Sequence, residues 1–281
     1  MEHCILTASC EDKIGIVAAV SGFLAKYDGF IIESQQFGDM TTGFFFMRTH
    51  FTSEKYSLDN WKKRFQIIAD EFSMKWEMQL LSYRMKVLIM ASKEGHCVNA
   101  LLNKKSMGNL AIDVPAIISN QPDLENMAKS YNTPFYYLPV SPGNKKEQEA
   151  EVLKLIQEFK PDLIVLARYM QILSADFIRG YEGKIINIHH SFLPSFKGAR
   201  PYHQAFDHGV KLIGATAHYV SEKLDEGPII EQEVTRVSHT FLTPELVSIG
   251  QDIEIVTLTR AVKWHIQKRV LLNGNKTVVF T

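Results

Sequence analysis

The chain has 281 residues, 46% apolar and 22% charged. That is enough for two folding units with cores of their own, and it excludes a fibrous repeat or a long disordered tract. Lys plus Arg and Asp plus Glu each number 31, so the chain has no bulk attraction to nucleic acid or to an anionic membrane, and neither is expected as a partner.

From the N-terminus, MEHCILTASCEDK lacks the basic start and apolar stretch of a signal peptide. The longest apolar runs, such as LIVLA at 163–167, fall far short of the roughly 20 residues that cross a bilayer. Cys4, Cys10 and Cys97 form no CxxC pair and are too few for a disulfide framework, so they read as free thiols in a reducing compartment. The expected location is the cytoplasm.

A strand from Cys4 to about Ala8 is followed by helix-spaced apolar positions from Ile14 to the turn Asp28-Gly29. FIIESQQF and GFFFMRTHF read as a hairpin about Thr42-Gly43. Helical periodicity returns over Leu58 to Phe72, and MKWEMQLLS closes the set. The order βαββαβ predicts a ferredoxin-like sandwich over residues 1–82, two helices on one face of an antiparallel sheet.

Beyond Arg84 the rhythm changes to short, continuously apolar strands: KVLIMAS, AIDVPAIIS, FYYLPV, LIVLAR, IINIHH and GATAHYV. Continuous apolarity means cover on both faces, and amphipathic segments such as EQEAEVLKLIQEF supply the crossovers. An α/β protein is therefore expected, with a doubly wound, mostly parallel, Rossmann-like second domain over residues 85–281. A long helix from about Thr243 to about Arg269 and a hairpin about Asn273-Gly274 close the chain.

In such a sheet the ligand crevice lies at the carboxyl ends of the strands, and the polar clusters fall there. Asn187 and His189 stand two residues apart on one strand, so their side chains share a face. Substitution at a carbonyl carbon requires an oxyanion stabiliser, a positioned nucleophile and a proton for the leaving atom. Asn187 can donate, His189 can carry the proton, and Asp225, from another loop, can orient water and hold the imidazole. His189, His190, His203, His208 and His218 show no zinc-type spacing, so no metal is expected. His190 and His203 read as structural or supporting.

NIHHSFLPSFKGARPYH at 187–203 and GATAHYVSEKLDEGPIIEQE at 214–233 together resemble the formyltetrahydrofolate-binding domain of the folate-dependent formyltransferases and deformylases. The resemblance implies that Asn187, His189 and Asp225 are catalytic. It also implies that ARYMQILSADF at 167–177 grips the pterin with backbone groups at Gln171, Ile172 and Leu173, between apolar walls from Met170 and Ile172. Val220, Ser221, Glu222 and His218 are expected to form the opposite wall of the substrate site.

The first βα turn, MASKEGHCVNALL, keeps only Gly95 where the transferase members acting on glycinamide ribonucleotide have a small-residue phosphate cradle. SKEGHC, HHSFLPSFKGARPYHQA and TGFFFMR are instead similar to the deformylase branch of the family. The resemblance spans essentially the whole chain and implies water as acceptor. The expected reaction is hydrolysis of 10-formyltetrahydrofolate, a folate substrate, to formate and tetrahydrofolate, with no cofactor required, supplying formate for purine biosynthesis and balancing one-carbon pools.

The leading module resembles an ACT domain, which implies a homo-oligomer and an amino-acid effector, glycine or methionine. Phe30 departs from the family pattern beside that effector turn, as Ala100 does in the second domain. Two alternatives stay open: transfer of the formyl group to a small acceptor, and a non-catalytic folate or amino-acid sensor. Methionyl-tRNA as acceptor is disfavoured by the charge balance and by the lack of a further C-terminal domain.

Overall fold

The computed structural model describes residues 2–194 and 201–281. It divides into two compact units, one comprising residues up to Tyr83 together with Gln267–Thr281, the other Arg84–Ile266.

The first unit runs β1 (Glu2–Glu11), α1 (Ile16–Lys26), β2 (Phe30–Asp39), β3 (Phe44–Ser53), α2 (Leu58–Glu71) and β4 (Lys75–Leu80). The four strands form an antiparallel sheet in the order β2-β3-β1-β4, the expected ferredoxin-like topology. Register explains the core. Cys4, Leu6, Ala8 and Cys10 of β1 stand opposite Phe51, Thr49, Met47 and Phe45 of β3, so all face the same side. Most of these pack there with Phe23 and Leu24 of α1 and Trp61 and Phe65 of α2. Trp61 is fully buried and meets Phe23, Phe51, Tyr27 and Tyr56 edge to face. Each such buried side chain contributes roughly 1.5–3 kcal/mol relative to exposure.

The opposite face carries Ile5, Thr7, Phe46 and Arg48, all buried. Here the structure departs from the expected domain limits. The closing hairpin, β13 (Val270–Asn273) with β14 (Lys276–Val279), groups with the first unit rather than with the second domain. Charge chemistry explains the grouping. Arg48, 2% exposed, donates to the Gln267 carbonyl at 3.1 Å and pairs with Glu33 at 2.9 Å. Glu33 also meets Arg269 at 3.3 Å, and Asn273 donates to Asp39 at 2.7 Å. A buried guanidinium requires such partners, and half of them arrive with the last fifteen residues of the chain, Gln267–Thr281.

The second unit continues with β5 (Met85–Ala91), α3 (His96–Ser106), β6 (Ile112–Asp113), β7 (Ile117–Ser119), α4 (Glu125–Ser130), β8 (Phe135–Tyr137), α5 (Lys145–Phe159) and β9 (Leu163–Ala167). After these come α6 (Ala175–Ile178), β10 (Ile185–His189), α7 (Pro201–Asp207), β11 (Leu212–Tyr219), β12 (Ile229–Arg236) and α8 (Thr243–Ile266). The sheet order is β12-β11-β10-β9-β5-β7-β8, with β6 beside β5. Pairing is parallel from β8 to β10, and β11 and β12 run antiparallel at one edge.

Two local readings change. AIDVPAIIS is two short strands separated at Pro115, which has no N–H for a ladder. IIEQEVTR, read only as part of a motif, is the edge strand β12, which carries the charged residues Glu231, Glu233 and Arg236 along its length. From β5 the chain winds outward through β7 and β8, then returns to the other side of β5 for β9 and β10. The topological switch point therefore lies between β5 and β9. No helix among the described residues is long and apolar enough to cross a membrane.

Candidate active site

Asn187 and His189 lie on β10, their side chains on the same face by strand alternation. β11 runs antiparallel beside them and sets His218 directly opposite Asn187. Asn187 Nδ2 stands 3.2 Å from His218 Nε2, and His218 Nδ1 stands 2.9 Å from the Tyr219 carbonyl oxygen. A carbonyl only accepts, so His218 Nδ1 carries a proton, and the Asn187 amide nitrogen faces Nε2. The second N–H of that amide remains for a ligand.

Asp225 reaches the pair from the loop after β11. Its Oδ2 lies 3.3 Å from His189 Nδ1 and its Oδ1 3.7 Å from His218 Nε2. Two features bend the loop back. Asp225 takes the left-handed conformation, φ 56°, which Asp tolerates better than most residues. Gly227 packs so closely on β11 that a Cβ there lies 1.7 Å from the Tyr219 carbonyl oxygen. Burial alone raises a carboxyl pKa; the His189 and His218 imidazoles outweigh it and hold the Asp225 carboxyl well below the usual carboxylate range. Asp225 is thus an anion, fixing a proton on His189 Nδ1. His189 Nε2 is buried and has no hydrogen-bond partner among the described residues.

These groups share a cleft of about 290 Å³. It brings together the expected trio and all of the expected substrate-binding residues, Met170, Gln171, Ile172, Leu173, His218, Val220, Ser221 and Glu222. Met170 and Ile172 are more than half exposed and present apolar surface, while Leu173 is buried beneath them. The loop is anchored at its start, where the Met170 N–H donates to Ser92 Oγ at 2.9 Å, and Ser92 itself donates to Asn120 at 2.6 Å.

Three lining residues carry weight that the sequence reading did not give them. Leu224 adds an exposed apolar edge. His190, read as supporting, lines the cleft and packs edge-on to His189, with ring centroids 5.3 Å apart. Burial and the Arg168 guanidinium push its pKa down to about 3, so it is neutral. Arg168 is left-handed at φ 63° and turns toward Glu254 of α8, with Nε 3.5 Å from Oε2.

Glu254 is fully buried on α8, a helix that also carries Glu245, Asp252, Arg260 and Lys263, so nothing local in the sequence sets it apart. His96 Nε2 lies 2.8 Å from its Oε2 and Tyr202 Oη donates to Oε1 at 2.7 Å. His96, Cys97 and Glu254 bring ligand-type atoms within 4.8 Å of one another, but the carboxylate already has its partners and a guanidinium beside it. His203, on α7, is exposed and does not line the cleft. The expected motif residues 195–200 lie outside the described residues.

The sequence profile of the formyl transferase family matches residues 85–262. A formyltetrahydrofolate deformylase of Corynebacterium sp. (strain P-1) is 46% identical over 277 residues, covering 98% of this chain and 97% of that protein. Among solved structures, a formyltetrahydrofolate deformylase from Pseudomonas syringae pv. tomato str. DC3000 aligns with a TM-score of 0.98 at 46% identity, covering 100% of this chain and 95% of the other. Another, from Burkholderia mallei ATCC 23344, aligns at 0.96 and 45% identity, covering 100% of both chains.

Proposed function

The chain belongs to the formyltetrahydrofolate deformylase family, and on that premise we propose that Asn187, His189 and Asp225 carry the hydrolysis of 10-formyltetrahydrofolate to formate and tetrahydrofolate. The observation that carries this assignment is the convergence of an ionised Asp225, the unpartnered His189 Nε2 and a spare Asn187 N–H in one cleft.

In this reading the pterin lies along 170–173 and the formyl group reaches β10. Asp225 holds a water through Oδ1, the oxygen not engaged by His189, and draws off its proton as the water oxygen bonds to the formyl carbon. The carbonyl electron pair moves onto oxygen, where the Asn187 N–H and a protonated His189 Nε2 stabilise it. Collapse breaks the bond from carbon to N10 as His189 gives its Nε2 proton to that nitrogen; the proton Asp225 took from water restores His189, and the acid formed leaves as formate with its remaining O–H proton released to solvent. Every group needed is a side chain of this chain, and no cofactor enters the scheme.

The wider role follows the same reading. The formate released supplies purine biosynthesis and the tetrahydrofolate rebalances one-carbon pools in the cytoplasm. The first unit acts as an ACT-type regulatory module that binds glycine or methionine in a homo-oligomer; Phe30, 73% exposed, is the surface residue to test.

The deciding experiment measures formate release from 10-formyltetrahydrofolate by the purified chain with no acceptor present, beside an Asp225→Asn variant. Release by the wild type and not by the variant supports the proposal. Release by neither moves the acceptor-dependent transferase ahead.

A further inference from the structure

In a doubly wound sheet the ligand crevice opens at the topological switch point, outside the carboxyl ends of the two strands that diverge there. In this unit those strands are β5 and β9, yet the open cleft is displaced by one strand, to the ends of β9 and β10. Protein fills the switch point itself. His96 enters from the N-terminus of α3, Arg168 from the end of β9, Tyr202 from α7 and Glu254 from α8. His96, Tyr202 and Arg168 all turn onto the Glu254 carboxylate.

We propose that this cluster is a specificity plug: it fills the space beside the formyl group that an organic acceptor needs, and leaves water as the nucleophile that fits. The proposal rests on the hydrolytic reading above and adds the reason for it.

Four observations carry it. Arg168 belongs to both places, lining the cleft and reaching Glu254, so the plugged space adjoins the reacting space. His190 continues the contact, its ring packed edge-on to His189 on one side and to Tyr202 on the other. α8 is locally shaped for the plug: a Cβ on Gly250 lies 2.1 Å from Tyr202 Cζ, so the ring reaches Glu254 only because that helical position has no side chain. The α3 N-terminus, which in other doubly wound proteins is free to cradle a phosphate, carries the Glu94 carboxylate instead, tied by Gln251 at 3.3 Å, and this repels an anionic acceptor.

The test offers the full-length enzyme a second nucleophile and reads how the formyl group is partitioned. Methoxyamine is small and uncharged near neutral pH. Its transfer reaction balances as hydrolysis does: the amine nitrogen bonds to the formyl carbon, the bond to N10 breaks, and one amine proton ends on N10. Tetrahydrofolate, formate and N-methoxyformamide are quantified for the wild type, Gly250→Ala and Tyr202→Ala, with the uncatalysed background subtracted.

In the wild type, formate is expected to match tetrahydrofolate one for one. In both variants the N-methoxyformamide share is expected to rise about tenfold or more, the scale on which shape discriminates between small groups. The share is a ratio within each preparation, so a partly folded variant still reports it. One-for-one formate in all three proteins overturns the plug and leaves the hydrolase reading intact. Loss of both products in both variants makes the cluster a support for the cleft and also overturns the proposal. Absence of formate from the wild type instead defeats the hydrolytic reading itself.

Discussion

Asp225 touches both imidazoles of the site and is the residue whose removal is most informative. Asp225→Asn keeps the shape but loses the anion that fixes the His189 proton and holds water. A loss of about 100-fold or more in kcat, with KM little changed, is expected in steady-state assays, since the interaction develops toward the transition state. Asn187→Ala removes one oxyanion donor and should cost about 100- to 1,000-fold in kcat by the same assay.

His190 supplies a pH prediction whose sign follows from linkage. Its pKa is lowered to about 3 in the folded chain, against about 6.5 for an unperturbed imidazole. Between those values the unfolded chain binds a proton that the folded chain refuses, so stability falls as pH falls through that window. Asp225 acts in the same direction, but only below the ordinary carboxylate range of about 4. His50 is also held low by burial, so the comparison of wild type with variant in urea at pH 7 and pH 5 isolates this histidine: His190→Gln should remove about 2 kcal/mol of the stability difference between the two conditions.

At the scale of elements, the loop from β11 to β12 matters most. Gly227→Ala places a Cβ against the Tyr219 carbonyl oxygen, so the loop must shift and carry Asp225 away from His189. The expected result is a large fall in kcat with binding of tetrahydrofolate, the product, largely retained; an unchanged kcat would falsify the role given to this turn.

The same element marks how far the sequence could be read. Strand alternation puts Asn187 and His189 on one face from spacing alone, and resemblance named Asp225, but its approach through a left-handed residue and a bare glycine depends on tertiary contact. His218 became a partner of Asn187 only through pairing across 31 residues. Strand β12 was missed because an edge strand carries charges where a buried strand carries apolar side chains. Glu254 escaped because its partners come from α3, β9 and α7, which no local window in α8 contains.

At the scale of the molecule, the division into units follows side-chain chemistry more than chain order. The βαββαβ alternation was plain in the sequence, but the return of residues 267–281 was not, since two strands about Asn273-Gly274 look alike wherever they pack. Truncation after Ile266 removes both the Gln267 carbonyl and Arg269 from the Arg48–Glu33 pair. Losing partners of a buried charge costs several kcal/mol. The first unit should unfold at lower temperature, and amide exchange should quicken in β1 and β3.

That return also sets an order of events during synthesis. The strands that begin the chain form one side of their sheet against α1 and α2 as soon as these emerge, while Arg48 and Glu33 on the other side wait for the Gln267 carbonyl and Arg269. The whole of Arg84–Ile266 must be made in between, about 10 to 40 s of elongation at ordinary rates. The module made first is thus finished last, and Arg48 spends that interval without the Gln267 carbonyl.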